Sequence, residues 1–339
     1  MTSSRGPGMV TAKQVAESLG VAVSTVGRAL ADDPRISART KELVREAAAR
    51  LGYVENLPAR MMRGGASRLI GLMLPDIRNS FYATIADAMS RCCDEAGYQL
   101  AFSIADDPAV EARHVRELAS ARVAGIVIVP TPEPLPETRA ILSRFPHVQL
   151  LRRVEGLAPI WFGIDDRECL RAGTSALIAR GHKRIAYIGG VARYSTGVTR
   201  LAGFRQAYAE AGLDPALATV CLGPPADTRF GAEATTALLE ADEPPSAIVT
   251  GAVQLTGAVL GALAASRHPH ARKMAVASFG DEPAFGWWPG RLVAMAMPIE
   301  ELAQSCGSWL IERLSSGRPL EAHEYLAPTK LSFRVSGRG

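Results

Sequence analysis

Twice along this chain a compact apolar run alternates with amphipathic stretches in the order strand, helix, strand. The first series runs RLIGLMLPD, NSFYATIADAMSRCCDEAGY, YQLAFSIADD, ARHVRELASARV and AGIVIVP. In its first amphipathic stretch Ile85, Met89 and Cys93 are spaced by four, which places them on one helical face. The second series runs RIAYIGG, TRLAGFRQAYAEAGL, SAIVTG and MAVASFGD. Continuously apolar strands separated by helices indicate parallel sheets covered on both faces. No Gly-x-Gly-x-x-Gly or P-loop run opens either series, so nucleotide binding is not indicated and no cofactor is expected.

The start of the chain differs in character. Residues 1–65 hold 10 Lys/Arg and 6 Asp/Glu, while the other 274 residues hold 28 of each. The net charge of +4 therefore resides in the head, as expected for a nucleic-acid reader attached to a neutral body. In TAKQVAESLGVAVSTVGRAL, Val15, Ala16 and Leu19 have helical spacing and Gly20 ends the helix. A second helix follows, with Val23, Val26 and Leu30 as packing candidates. Two helices joined by a short glycine turn form a helix-turn-helix, whose second helix enters the major groove. Val23, Ser24 and Arg28 are the outward candidates on that helix, and Lys13 and Thr25 are candidate phosphate contacts. Arg28 is the foremost base reader, since arginine pairs bidentately with guanine. A helical hairpin without DNA affinity has the same spacing.

Ser37 caps a third helix, in which Leu43, Ala47 and Leu51 form the expected inner face and Gly52 the stop. In VENLPARMMRGG, Asn56 caps a short helix, Pro58 fits its first turn, and Gly64 and Gly65 release the chain. A helix of about eight residues is not stable alone in water, so it orders only against a partner.

Taken together these segments resemble the lactose/galactose repressor (LacI/GalR) family over roughly residues 10–331. The resemblance rests on VTAKQVAESLGVAVSTVGRAL, RISARTKELVREAAARLGYVEN, PARMMRGG, the first strand and helix of the body, GHKRIAYIGG and RLAGFRQAYAEAGL. It implies an all-α helix-turn-helix head joined to an α/β periplasmic-binding-protein-like body of two parallel-sheet lobes. The implied domains are 10–55 for DNA binding, 56–65 for a hinge, and 66–331 for effector binding and dimerisation. Lobe one would hold about 66–160 plus 296–331, and lobe two about 166–292. The chain would cross between them three times, first near 160–166 and last near 293–297.

By the same resemblance, hinge helices of two subunits pair in the minor groove. Asn56 opens that helix, Ala59 lets the pair approach, and Met62 takes the place of a wedging leucine. Met61 and Met62 also fit plain linker packing. Ala22 replaces the usual serine cap of the recognition helix, and Gly27 replaces a serine and removes a potential phosphate donor. The implied assembly is a homodimer on a near-palindromic operator, with the MSRCCDEAG helix contributing to the contact. No leucine-heptad tail follows TKLSFRV, which disfavours a four-chain assembly.

Effector candidates lie after strands, where open α/β sheets bind ligands. They are Asp76, Asn79, Phe81, Arg152, Arg200 and Asp281. Phe81 offers a stacking face or packs the lobe interior, and Asn79 binds ligand or caps a helix. Arg200 matches the family's ligand clamp in TRLAGF. Arg152 and Arg153 stand where an aspartate or Asp-Arg is common; Arg152 binds an anion or pairs with Asp165 or Glu155. Asp165 and Asp166 shape the crossover. Gly251 and Ala252 replace an Asn-Asp pair, Gly280 replaces an aspartate, and Met297 replaces a glutamine. These losses make a neutral-hexose site doubtful, and a sugar acid, phosphorylated sugar or other small anion fits best. Trp287 or Trp288 would cover one side.

Other classes fit poorly. The six histidines are scattered, His182 reads as a turn residue, and Ser246 lacks a nucleophile elbow, so no enzyme is expected. An exported solute-binding protein would share the body but not the head. Five cysteines form no metal spacing and read as buried thiols. With neither an export signal nor a spanning run, a cytoplasmic location is expected.

Overall fold

The computed structural model describes residues 10–53, 67–288 and 292–334. Asn56, Ala59 and Met62 of the expected hinge lie outside the described residues.

Three helices make the head: α1 (Ala12–Leu19), α2 (Val23–Leu30) and α3 (Ala38–Leu51). Thr11 and Gln14 close α1 with a reciprocal capping box, and Gly20 ends it in the left-handed region at φ 66°. Ser37 caps α3 by accepting from the Thr40 amide. The shared core is Val15, Ala16, Val26, Ala29, Val44, Ala47 and Ala48. Leu43, expected inside from its spacing, is instead 47% exposed. Two successive steps of four drift about 80° around a helix. The set Val44, Ala47, Ala48 and Leu51 follows the 3.6-residue period more closely. Val23, a packing candidate as well as an outward one, is 48% exposed.

The body has two six-stranded sheets. The first has the order β11-β5-β4-β3-β1-β2. Its strands are β1 (Leu69–Leu74), β2 (Gln99–Ile104), β3 (Gly125–Ile128), β4 (His147–Leu150), β5 (Ile160–Ile164) and β11 (His323–Ala327), all parallel. The second has the order β12-β10-β9-β8-β6-β7. It contains β6 (Ile185–Gly190), β7 (Ala218–Gly223), β8 (Ala247–Thr250), β9 (Ala275–Phe279), β10 (Leu292–Ala296) and β12 (Lys330–Arg334). Only β12 runs antiparallel, against β10.

Helices α4 (Ser80–Glu95), α5 (Pro108–Ser120), α6 (Pro136–Leu142) and α11 (Ile299–Ser316) belong with the first sheet. Helices α7 (Asp166–Ile178), α8 (Ser195–Glu210), α9 (Thr228–Leu239) and α10 (Val253–Ala265) belong with the second. Ile85, Met89 and Cys93 of α4 are all fully buried. No described helix is long and apolar enough to cross a membrane.

The lobe boundaries differ from the sequence expectation at three strands. Strand β5 belongs to lobe one, whereas β10 and β12 complete lobe two. The chain therefore crosses at Asp165, again at 297–298, and last at 328–329 rather than near 293–297. The tail was not separable by pattern, because β11 and β12 are short neighbouring strands that part to different sheets.

His147 anchors the turn between β4 and β5. Its Nδ1 lies 3.0 Å from the Phe145 carbonyl, and its Nε2 accepts from the Ala158 amide at 2.9 Å. That pattern requires the neutral ring, and burial pushes the pKa below its ordinary value. A depressed value means that the unfolded chain binds the proton first. The contribution to stability is present above about pH 6.5 and is lost as pH falls through the lowered native value. Thermal midpoints should thus fall on acidification below that pH. The His147→Asn variant should show a flatter pH profile across this window, and an unchanged slope would dismiss His147 as the source.

Candidate DNA interface and ligand cleft

On the head, Val23, Ser24 and Arg28 are exposed on α2, and Thr25 is half-buried. Arg28 makes no ion pair among the described residues. Lys13 is exposed and lies 3.8 Å from Glu17, an easily exchanged surface pair. Ala22 caps α2 without any side-chain hydrogen bond, as its identity dictates. Ala22→Ser should therefore stabilise the head by about 1 kcal/mol. A chemical-denaturation midpoint unchanged in that variant would contradict it. Gly27 is buried in α2. Its position faces away from solvent, so its cost is one of helix propensity rather than of a lost phosphate contact.

Between the lobes lies a cavity of about 500 Å³. Asp76, Asn79, Phe81, Arg152 and Arg200 all line it. Asp281 does not; it lies in another depression, where its Oδ2 accepts from Ser332 at 2.7 Å. Gly280 turns the chain there at φ 96°, which separates Asp281 from the strand end expected to face the cleft. Trp287 and Trp288 also lie outside the cleft lining. Trp287 is 55% exposed and Trp288 packs on the lobe-two core.

Each charged candidate has a partner. Arg200 donates from Nε to Asp166 Oδ1 at 2.7 Å and from Nη1 to the Gly251 carbonyl at 2.8 Å. Its guanidinium lies 3.9 Å from the Phe279 ring centre. Arg152 pairs with neither Asp165 nor Glu155. Its Nη1 is 3.5 Å from Asp106 and 3.4 Å from the Pro130 carbonyl, and its guanidinium sits 4.5 Å from the Tyr194 ring centre. Asp76 accepts from Arg78 Nε at 3.1 Å. Partial burial opposes its charge, but the bonds from Arg78 outweigh burial and hold its carboxyl below the usual range. Asp165 caps α7 by accepting from the Glu168 amide.

Asn79 does cap α4, accepting from the Phe81 amide at 3.1 Å, while also lining the cleft. Phe81 likewise has two roles: it is 8% exposed, belongs to the lobe-one core, and reaches the cleft wall.

Sequence reasoning missed Asp106, Tyr194, Thr196 and Gln254, which also line the cleft. Gln254 Nε2 lies 3.3 Å from Asp76 Oδ2 and so joins the lobes. It sits just beyond Gly251 and Ala252, and supplies an amide where an Asn-Asp pair was missing. Gly251 has a steric reason. A Cβ there would meet the Tyr187 hydroxyl at 2.4 Å and Gly189 Cα at 3.1 Å. Away from the cleft, His182 Nδ1 lies 2.9 Å from Ser246 Oγ, consistent with a structural turn.

Comparison with known proteins bears on both parts. Residues 11–56 match the model of bacterial regulatory proteins of the lacI family, and residues 174–336 match the periplasmic binding protein-like domain. The chain is 32% identical over 247 residues to the transcriptional regulator RafR of Escherichia coli, covering 70% of this chain and 71% of RafR. It is 26% identical to GalR of Escherichia coli strain K12, covering 95% of this chain and 94% of GalR. A crystal structure of the lac repressor dimer bound to operator and an anti-inducer shares the fold, with a TM-score of 0.82 at 23% identity. That match covers 97% of this chain and 99% of the other. The chain belongs to the LacI family: it is a DNA-binding transcriptional regulator with an effector-binding body.

Proposed function

We propose that the protein is a homodimeric repressor of a near-palindromic operator, controlled by a small, uncharged, hydroxyl-bearing effector in the cleft. Residues 10–55 read the operator, 56–65 couple head to body, and the remainder holds the effector. Asn56, Ala59 and Met62 are the proposed minor-groove elements, and Arg28 reads a guanine.

The observation that carries the effector class is charge balance. Three cations, Arg78, Arg152 and Arg200, line the cleft, and each lies beside a carboxylate: Asp76 and Asp106 in the lining, and the buried Asp166 outside it. Arginines already paired in this way have less need of an anionic ligand, which favours a neutral effector over the sugar acid that the sequence suggests. The pairs and Asn79, Thr196 and Gln254 offer donors and acceptors, while Phe81, Phe279 and Val253 offer apolar surface. That combination, in a cavity of about 500 Å³, suits a neutral mono- or disaccharide. Closing the lobes on this ligand biases the head's affinity for DNA.

Calorimetric titration of the full chain with neutral sugars and the matching uronic acids tests the class. A neutral sugar should bind more tightly, and a tenfold preference for the acid would sink the reading. On DNA, Arg28→Ala should cost about 1–3 kcal/mol and relax discrimination at one base pair of each half-site. An unchanged ratio of specific to non-specific binding would exclude Arg28 as a reader.

A further inference from the structure

Beside the cleft lies a second pocket, of about 320 Å³, lined by four arginines: Arg139, Arg152, Arg153 and Arg193. They come from both lobes. Arg139 is on α6 and Arg152 and Arg153 follow β4, all in lobe one; Arg193 follows β6 in lobe two. The same wall carries the first residue of α8, Ser195, whose Oγ accepts from the Arg153 amide at 2.9 Å. Tyr194 caps α8 without a side-chain hydrogen bond, so the positive end of a 16-residue helix is unscreened by any capping side chain.

The lining of this pocket is strongly cationic, with four arginines and, among the described residues, one carboxylate, Glu155. Arg153 pairs with Glu324 at 3.2 Å, and Arg152 makes its long contact with Asp106. Among the described residues, neither Arg139 nor Arg193 forms a salt bridge. Arg139 instead donates to the carbonyls of Pro134 and Glu155, and Arg193 donates to the Tyr194 hydroxyl at 3.3 Å. Outside the lining, Glu133 and Asp106 act on Arg193 at longer range than an ion pair. Glu111 lies close to Arg139 and Arg152, where its Oε2 accepts from the Thr131 amide at 2.6 Å. Burial raises its pKa, against the opposing pull of Arg152 and Arg139.

We propose that this pocket is a second ligand site, which binds a small phosphate monoester across the two lobes. A tetrahedral dianion matches several converging guanidinium forks and a helix N-terminus better than a carboxylate does. The pocket also exceeds a bare phosphate, leaving room for a small organic group. Because its walls belong to both lobes, the ligand favours their approach. Arg152 and Tyr194 line both cavities, which gives the two sites a route to reciprocal coupling. The site goes beyond the cleft reading and does not depend on it.

Calorimetry of the full chain tests the site with inorganic phosphate and glycerol 3-phosphate, against sodium chloride at matched ionic strength. One saturable site per chain is expected, with the ester binding more tightly. Arg193→Gln should weaken it about tenfold or more, the usual loss for a hydrogen bond to a charged group. Arg193 is exposed, so this variant should fold normally. Arg139→Gln serves as the second variant and should also weaken binding. Arg78→Gln, in the cleft lining alone and paired only within lobe one, should leave phosphate affinity unchanged. If inorganic phosphate binds as tightly as the ester and loses affinity in Arg193→Gln, the site stands and free phosphate is its source. No saturation at millimolar concentrations, or wild-type affinity in Arg193→Gln, would overturn it. Loss of phosphate binding in Arg78→Gln would also overturn it, by placing the anion in the cleft. Neutral-sugar binding is read separately, so either site can fail alone.

Discussion

Arg200→Ala is expected to destabilise the body by about 3–5 kcal/mol, because it strands a buried carboxylate without its partner. Asp166 is 5% exposed and Arg200's side chain 12% exposed. Burial opposes the charge on Arg200, but Asp166 outweighs it and holds the guanidinium more firmly protonated than usual. The same substitution releases the Gly251 carbonyl and uncovers Phe279, so cleft binding should be lost as well. Replacing both partners by leucine should recover much of the stability but none of the binding. Urea denaturation followed by circular dichroism reads the first effect and calorimetry the second. If the single and double variants are equally unstable, the stranded charge is not the cause.

Gly203→Ala should be nearly as damaging, contrary to helix propensity. Glycine within a helix costs about 1 kcal/mol relative to alanine, so propensity alone forecasts a gain. In α8, however, a Cβ at Gly203 would lie 2.1 Å from the Arg167 carbonyl oxygen and 2.9 Å from its carbon. Backbone cannot yield as a flexible side chain does, so α7 and α8 must separate. A loss of roughly 3 kcal/mol is expected, at the upper end for overpacking. Gly257, exposed on α10 with nothing within 4 Å of its virtual Cβ, is the control. Gly257→Ala should raise stability by up to about 1 kcal/mol. Equal thermal shifts in the two variants would refute the steric account.

These two cases mark what was legible in the sequence. Elements whose residues repeat with one period were readable: the apolar strands, the Ile85–Met89–Cys93 stripe, and the caps at Ser37 and Gly52. The cleft's strand-end candidates were mostly readable too, since ligand loops follow strands. Partnerships were not. Asp166 and Arg200 are 34 positions apart, and Asp106 and Arg152 are 46 apart. The sequence offered Asp165 or Glu155 as the partner of Arg152, whereas its carboxylate neighbour is Asp106. Gln254 and Tyr194 were missed because each stands near a helix start, with no local pattern to mark it. Leu43 and Asp281 failed for geometric reasons, the first from drift around a helix and the second from a left-handed turn at Gly280.

The threefold crossing between lobes also limits how the body can move. Three stretches of backbone leave one lobe and enter the other, and the first and last are joined where the Asp165 amide donates to the Ala327 carbonyl at 3.3 Å. A single tether would allow the lobes to swivel in any direction. Three abreast resist twist and sliding, and leave bending as the soft coordinate. Neither lobe is a contiguous length of chain, so neither can be excised as a unit. Lobe two acquires its last strand only after lobe one has received its last helix, which ties the completion of each to the other during synthesis.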